Sequence, residues 1–276
     1  MSVKGQVAHW RWRLRKIRSE IANALGRPFI YRHPVLGRFV YHPSDDLSRH
    51  LLLYDFEPAE LQFAVAAARR GGTILDVGAN IGAFTVACAR AAGLDGRVIA
   101  LEPSPATFAK LRVTCTRLHL PNVTLLPVAA AEENGHRQFV ISRTHELRQH
   151  LADARNAGDE QTVTVESRRL DDVCADCVDK VSLLKIDVEG HEFEALSGAP
   201  RILDNGRAEL IVEVFPGALE AAGATAGALR ELLSRTHTCT TIVRQDGTVL
   251  PGTSPFETAP SQETFNTFWT PRHPRG

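Results

Sequence analysis

Lys185, Asp187, Glu189 and His191 stand within seven residues of one another in the run KIDVEGHE. Strand-like alternation puts Leu183, Lys185 and Asp187 on one side, with Glu189, Gly190 and His191 following at the carboxyl end. A lysine inside a strand is costly unless a carboxylate meets it, so Lys185 should pair with Asp187 or with Glu213 in the run LIVEVF. The cluster reads either as a structural ion-pair network or as a reactive site, and its convergence where a sheet opens favours the reactive site.

A second group lies upstream in LDVGANIG, where Asp76 precedes Gly78, Asn80 and Gly82. Gly78 allows a tight turn and a close backbone approach, and Gly82 lets the following helix lie against the strand. The spacing is G-x-x-x-G, whereas a dinucleotide site more usually shows G-x-G-x-x-G with its helix aimed at a pyrophosphate. Asp76 would repel phosphate and suits a ligand with a cationic end, such as S-adenosylmethionine with its sulfonium and ammonium groups. Glu102, closing the run VIALEPSP, stands where a carboxylate can accept two hydrogen bonds from vicinal ribose hydroxyls.

The elements that must position these groups alternate. A helical pattern from Glu57 to Arg70 ends at Gly71 and Gly72, and TILDVGANIGAF follows as strand, glycine turn and helix start. A helix over 82–92, a strand over 97–101, a helix over 105–118 and a strand over 123–128 come next, then Phe139 to Ser142. After a polar stretch with His145 and His150, the pattern predicts a strand QTVTVES, the strand KVSLLKID, a helix over 191–204 and the strand AELIVEVF. Strands alternating with helices predict an α/β fold, a doubly wound, mostly parallel sheet with helices on both faces. Its ligand site belongs beyond the carboxyl ends of the strands, near the switch in strand order.

Flanking segments read as appendages. Trp10, Leu14, Ile17, Ile21 and Leu25 fall at helical spacing with Arg11, Arg15, Lys16 and Arg18 mostly off that stripe, which predicts a basic amphipathic helix. The simpler expectation packs this helix on its own domain with a solvated basic face; a weak contact with an anionic membrane surface or an acidic substrate is the alternative. Phe29 to Tyr41 reads as a hairpin, residues 1–50 as an extension, 51–250 as the main domain, and 251–276 as an edge strand followed by a loose tail. Residues 143–160 are long and polar enough for a lid over the site, or for a solvated insertion.

Lysine plus arginine equals aspartate plus glutamate at 32 each, which argues against a general nucleic-acid binder. No apolar run approaches the roughly 20 residues of a membrane span, and no apolar leader opens the chain, so a cytoplasmic protein is expected. Five cysteines, an odd number, fit a reducing compartment. Cys174 and Cys177 form a C-x-x-C without a second pair and read as incidental thiols. His136, His145 and His150 are too irregularly spaced for ligands, and no metal is expected.

The blocks ILDVGANIGAFTVACA, VIALEPSPATFAKL, RRLDDV, LLKIDVEGHEFEALSGA and ELIVEVFP resemble, in that order, the successive motifs of the FkbM family of methyltransferases over roughly residues 57–216. The resemblance implies a class I methyltransferase fold (Rossmann-like), S-adenosylmethionine as donor, and O-methylation of a secondary metabolite, sugar or related small-molecule or glycan acceptor. It carries Asp76, Gly78, Asn80 and Gly82 to the donor loop, Glu102 to the ribose, and Lys185, Asp187 and Glu189 to the reaction end. A hydroxyl acceptor must lose a proton, for which Asp187 and His191 are the candidate bases, Asp187 also being placed to contact the donor, with Glu213 orienting Lys185 from behind. An NAD(P)-dependent oxidoreductase on a similar sheet and a donor-binding scaffold without catalysis are the competing readings.

Overall fold

The computed structural model describes residues 3–54, 58–141, 150–151 and 161–273. Helix α1 (Val3–Leu25) leads into a hairpin of β1 (Phe29–His33) and β2 (Gly37–Tyr41), then α2 (Asp46–Leu53) and α3 (Pro58–Ala68). The core begins with β3 (Thr73–Val77), α4 (Ala83–Ala92), β4 (Arg97–Leu101), α5 (Pro105–Leu118) and β5 (Val123–Leu126). A small sheet follows from β6 (Val128–Ala130), β7 (Gly135–Ile141), β8 (His150–Leu151) and β9 (Gln161–Arg168). The chain then returns through α6 (Leu170–Val173), β10 (Val181–Ile186), α7 (Glu192–Ser197), α8 (Pro200–Asp204) and β11 (Glu209–Val214). It closes with α9 (Pro216–Ala221), α10 (Ala226–Ser234), β12 (His237–Arg244), β13 (Val249–Pro251) and β14 (Phe265–Pro271).

The main sheet runs β13-β12-β14-β11-β10-β3-β4-β5. Strands β5, β4, β3, β10 and β11 pair in parallel, while β14 runs antiparallel to both β11 and β12. All of β3 is buried, as a strand covered on both faces must be, which is why TILDV is a nearly continuous apolar run broken by one acid. From β3 the chain winds outward through β4 and β5, then returns to β10 and winds the other way. The β3/β10 boundary is therefore the switch point, and Lys185 pairs in register with Asp76 across it.

Local chemistry explains where the elements start and where the expected boundaries move. Ser104 caps α5 by accepting from the Thr107 amide, and Pro105 follows in the first turn. The strand expected over 123–128 divides at Pro127, which has no N–H for a ladder: β5 stays in the main sheet and β6 joins β9. The helix expected over 191–204 is two helices broken around Gly198, where a Cβ would stand 2.1 Å from the Ala131 carbonyl oxygen, and Pro200 starts the second. The expected C-terminal edge strand is interior instead. Its buried Phe265, Thr267, Phe268 and Trp269 insert β14 between β11 and β12, and β13 takes the edge.

The amphipathic helix departs most from expectation. Ser19 and Ala22 face inward, whereas Trp10, Leu14, Ile17, Ile21 and Leu25 are all exposed. The stripe that should have packed on the domain faces solvent. His145 and most of the polar stretch 143–160, on which the reading as a lid or solvated insertion falls, lie outside the described residues. Among the described residues no helix is long and apolar enough to cross a membrane.

Candidate active site

At the carboxyl ends of β3, β4, β10 and β11 lies a cavity of about 200 Å³, closed on one side by Val128, Ala129 and Ala130 of β6, Phe139 of β7 and Leu47 of α2. Its wall carries Gly78, Asn80, Glu102, Lys185, Asp187, Glu189, His191 and Glu213. Two residues assigned to donor binding from the sequence, Asp76 and Gly82, are not on that wall. Asp76 lies behind it at 1% exposure, and Gly82 packs toward α5, where a Cβ would meet Leu111 at 2.8 Å.

The glycine loop is held to the loop after β10 backbone to backbone. Gly78 has φ +77°, and a Cβ there would stand 1.8 Å from the carbonyl oxygen of Asp187, so no side chain fits. The Gly78 and Ala79 amides donate to the Leu101 carbonyl at 3.0 and 2.9 Å, and the Asp187 amide donates to Val77 at 3.1 Å. Asn80, itself at φ +50°, turns its amide onto Glu102 Oε2 at 2.9 Å. The Ser104 amide donates to Glu102 Oε1 at 2.9 Å. Burial pushes the Glu102 carboxyl up to about 7 against those two amides, which pull it down. A carboxylate offers roughly four lone-pair sites, so acceptor capacity remains on the cavity side.

At the other end Lys185 is the hub. Its Nζ donates to the Gly78 carbonyl at 3.0 Å and lies 3.1 Å from Asp187 Oδ2, 3.6 Å from Asp76 Oδ1 and 5.3 Å from the centre of the Phe84 ring. The sequence anticipated Asp187 or Glu213 as a partner; Asp187 takes that place, and Asp76, which also accepts from Thr85 Oγ1 at 2.6 Å, is the addition. Glu213 is hydrogen-bonded to Asp187, and burial, then the charges of Asp187 and Glu189, raise it well above the usual carboxylate range. Carboxylate oxygens of Asp187, Glu189 and Glu213 all lie within 4.8 Å of one another. That spacing suits either a proton shared between acids or a divalent cation.

Glu192 was not singled out from the sequence, yet it shapes the loop. Its Oε1 accepts from the Val188 and Gly190 amides, both at 3.1 Å, while Glu189 and Gly190 take φ +53° and +104°. The second acid of EGHE, at a helix start, was the available signal: a carboxylate there can reach back to the amides of the loop just ahead of the helix. His191, buried on the cavity wall, has Nδ1 at 3.4 Å from Glu194 Oε2, and Glu194 in turn pairs with Arg137 of β7 at 2.7 Å. Cys174 and Cys177 belong to the apolar core away from the cavity, their thiols raised by burial. His136 is exposed on β7.

The strand order, the switch-point cavity and the carboxylate closing β4 define a class I methyltransferase fold. Residues 76–239, more than half of the chain, match the methyltransferase FkbM domain, and the protein belongs to that family. A comparison with curated proteins gives no match. Among solved structures, the chain is similar to the methyltransferase FkbM from Methylobacillus flagellatus (TM-score 0.45, 15% identity, 82% of this chain and 55% of that one). The chain thus spans about half the length of that protein. It is also similar to an rRNA methylase from Streptococcus thermophilus (0.45, 12%, 77% and 94%) and to the O-methyltransferase from Bacillus cereus in complex with SAH (0.42, 14%, 78% and 82%).

Proposed function

We propose that the protein is an S-adenosylmethionine-dependent methyltransferase acting on a hydroxyl oxygen of a small-molecule or glycan acceptor, in the cytoplasm and without a nucleic-acid partner. The observation that carries this reading is Glu102: buried, on the cavity wall, with each oxygen oriented by one backbone amide and open to a ribose diol. Strand β4 is separated from β11 by three strand spacings, roughly 14 Å, so a nucleoside seated at Glu102 can extend toward Asp187, Glu189 and Glu213. Those acids suit its cationic end. Five free cysteines, all buried, agree with a reducing compartment.

When bound, the donor would supply an electrophilic methyl group on a sulfonium, with the neutral thioether as leaving group. The chain's own part is to hold the reactants in line, a contribution potentially worth about 7–11 kcal/mol, and to accept the hydroxyl proton. Asp187 is the proposed acceptor of that proton, since Lys185 fixes one of its oxygens and the same side chain reaches the cavity. His191, anchored by Glu194 on the same wall, is the second candidate.

Calorimetric titration with S-adenosylmethionine, S-adenosylhomocysteine and NAD tests the donor class. Binding of the first two alone is expected; binding of NAD alone would return the site to an oxidoreductase. With an acceptor in hand, Asp187→Asn should lower kcat by about 10² to 10⁴-fold, with a smaller loss of donor affinity because one of the acids facing the cationic end is neutralised. A loss of that size in His191→Asn alone would move the proton to the histidine. Donor binding without turnover across hydroxylated acceptors would favour a scaffold.

A further inference from the structure

Helix α1 holds to the domain by its polar side. Ser19 and Ala22 are buried, Arg15 Nη1 donates to the Leu52 carbonyl at 3.3 Å, and Asn23 Oδ1 accepts from the Tyr41 hydroxyl and the Ser44 amide at 2.9 Å each. The opposite side presents Trp10, Leu14, Ile17, Ile21 and Leu25 at 60, 59, 48, 54 and 64% exposure. At about 100° and 1.5 Å per residue, these five occupy an arc of about 80° and run for roughly 22 Å. A continuous apolar ridge of this kind calls for a partner.

Charge decides which partner. The helix carries Lys4, Arg11, Arg13, Arg15, Lys16 and Arg18 against the single acid Glu20, in a chain whose charges as a whole balance at 32 and 32. On a helical projection Arg13 lies on one flank of the ridge and Arg18 on the other, stacked over Trp10 at 5.3 Å and over Phe29 at 4.5 Å. Two copies of this helix meeting along their ridges would bring like charges together. An anionic bilayer meets both features at once, because aliphatic side chains enter the acyl boundary, arginines stay at headgroup level, and an indole favours the interface between them.

We propose that α1 lies in the plane of an anionic lipid surface, with Trp10, Leu14, Ile17, Ile21 and Leu25 inserted. Helix α2, against which α1 packs, contributes Leu47 to the cavity wall, so the docked surface is one helix away from the active site. The proposal does not rest on the donor assignment, because its test reads partitioning and not turnover.

The full chain is sedimented with vesicles of phosphatidylcholine alone and of phosphatidylcholine with phosphatidylglycerol at about three to one, at low and high salt. Binding to the anionic vesicles only, weakened by salt, is expected. The double variant Leu14→Glu/Ile17→Glu, changed at exposed positions, should keep the wild-type melting temperature and lose about tenfold or more of the binding. In the wild type, emission of Trp10 should shift to the blue on anionic vesicles, while Trp12, on the opposite side of the helix, and the buried Trp269 contribute a constant background. That measurement decides the matter even if the double variant fails to fold. No binding, equal binding to both vesicles, an unshifted emission or an unaffected double variant would overturn the proposal. So would a dimer in the absence of lipid that the same substitutions dissociate without any vesicle binding, which would assign the ridge to a second copy.

Discussion

Glu102 and Glu213 stand at the ends of β4 and β11, three strand spacings apart on either side of the switch point, and both are raised by burial, yet their surroundings are opposite in kind. Glu102 receives two backbone amides, and the second-largest influences on it pull its carboxyl back toward ionisation. Glu213 receives other acids, and every influence on it after burial pushes the same way. One carboxylate is prepared to accept hydrogen bonds; the other is prepared to keep a proton. A cavity with an acceptor at one end and a negative, proton-holding cluster at the other discriminates along its length, which suits a ligand with a diol at one end and cationic groups at the other.

Lys185 keeps the two ends distinct, and removing it should have the largest effect. In Lys185→Met the buried Asp76 and the half-buried Asp187 lose their shared cation, so unfolding by urea should show a loss of about 3–5 kcal/mol. Adding Asp76→Asn to that variant should restore part of it. An unchanged midpoint in Lys185→Met would mean that the acids are neutralised some other way.

The next effect in size belongs to Glu102. Glu102→Ala should weaken S-adenosylmethionine binding by about a hundredfold, for two hydrogen bonds to a charged acceptor at roughly 1.5 kcal/mol each. Glu102→Gln should not be silent, because one end of the amide must turn an N–H toward the Asn80 or Ser104 amide. The pH dependence has a definite sign. With a carboxyl raised to about 7 in the free protein, a ribose diol that prefers the ionised form gains affinity as pH rises from about 6 to 8, and donor binding near neutrality releases a proton. Calorimetry in buffers of different ionisation enthalpy reads that proton directly. Affinity independent of pH would remove the diol from Glu102.

How much of this was legible in the sequence differs between the same two ends. Gly78, Asn80 and Glu102 were readable because turn chemistry and strand order are local, and so was the span of α5, whose start Ser104 and Pro105 fix in the structure. Asp76 was legible as important but not as hidden: its depth depends on Lys185 and Thr85 meeting it from other elements. Glu192 escaped notice because its role is to accept the Val188 and Gly190 amides in a loop whose positive φ angles no periodicity announces. The insertion of β14 between β11 and β12 is a matter of long-range pairing, and an alternating run at the end of a chain does not say where it will dock. The outward stripe of α1 teaches the same lesson: amphipathicity gives a helix two faces, and tertiary contacts choose which one is covered.

The smallest effect is expected at Glu213, where it tests the proton-holding end most directly. A carboxyl whose folded pKa lies above its unfolded value near 4.5 leaves the folded state holding the extra proton, so its contribution to stability is retained at low pH and declines as pH rises toward the folded value. Glu213→Gln keeps a donor to Asp187 and removes the titration. Between pH 5 and 8 the variant should therefore lose less stability than the wild type in urea unfolding. If the proton held by Glu213 and the ammonium of Lys185 meet the charge of this cluster, magnesium or a chelator should leave the wild-type melting temperature unchanged. A magnesium-dependent rise that Glu213→Gln abolishes would instead put a divalent ion where the proton is assigned, and the two ends of the cavity would then differ in charge more sharply still.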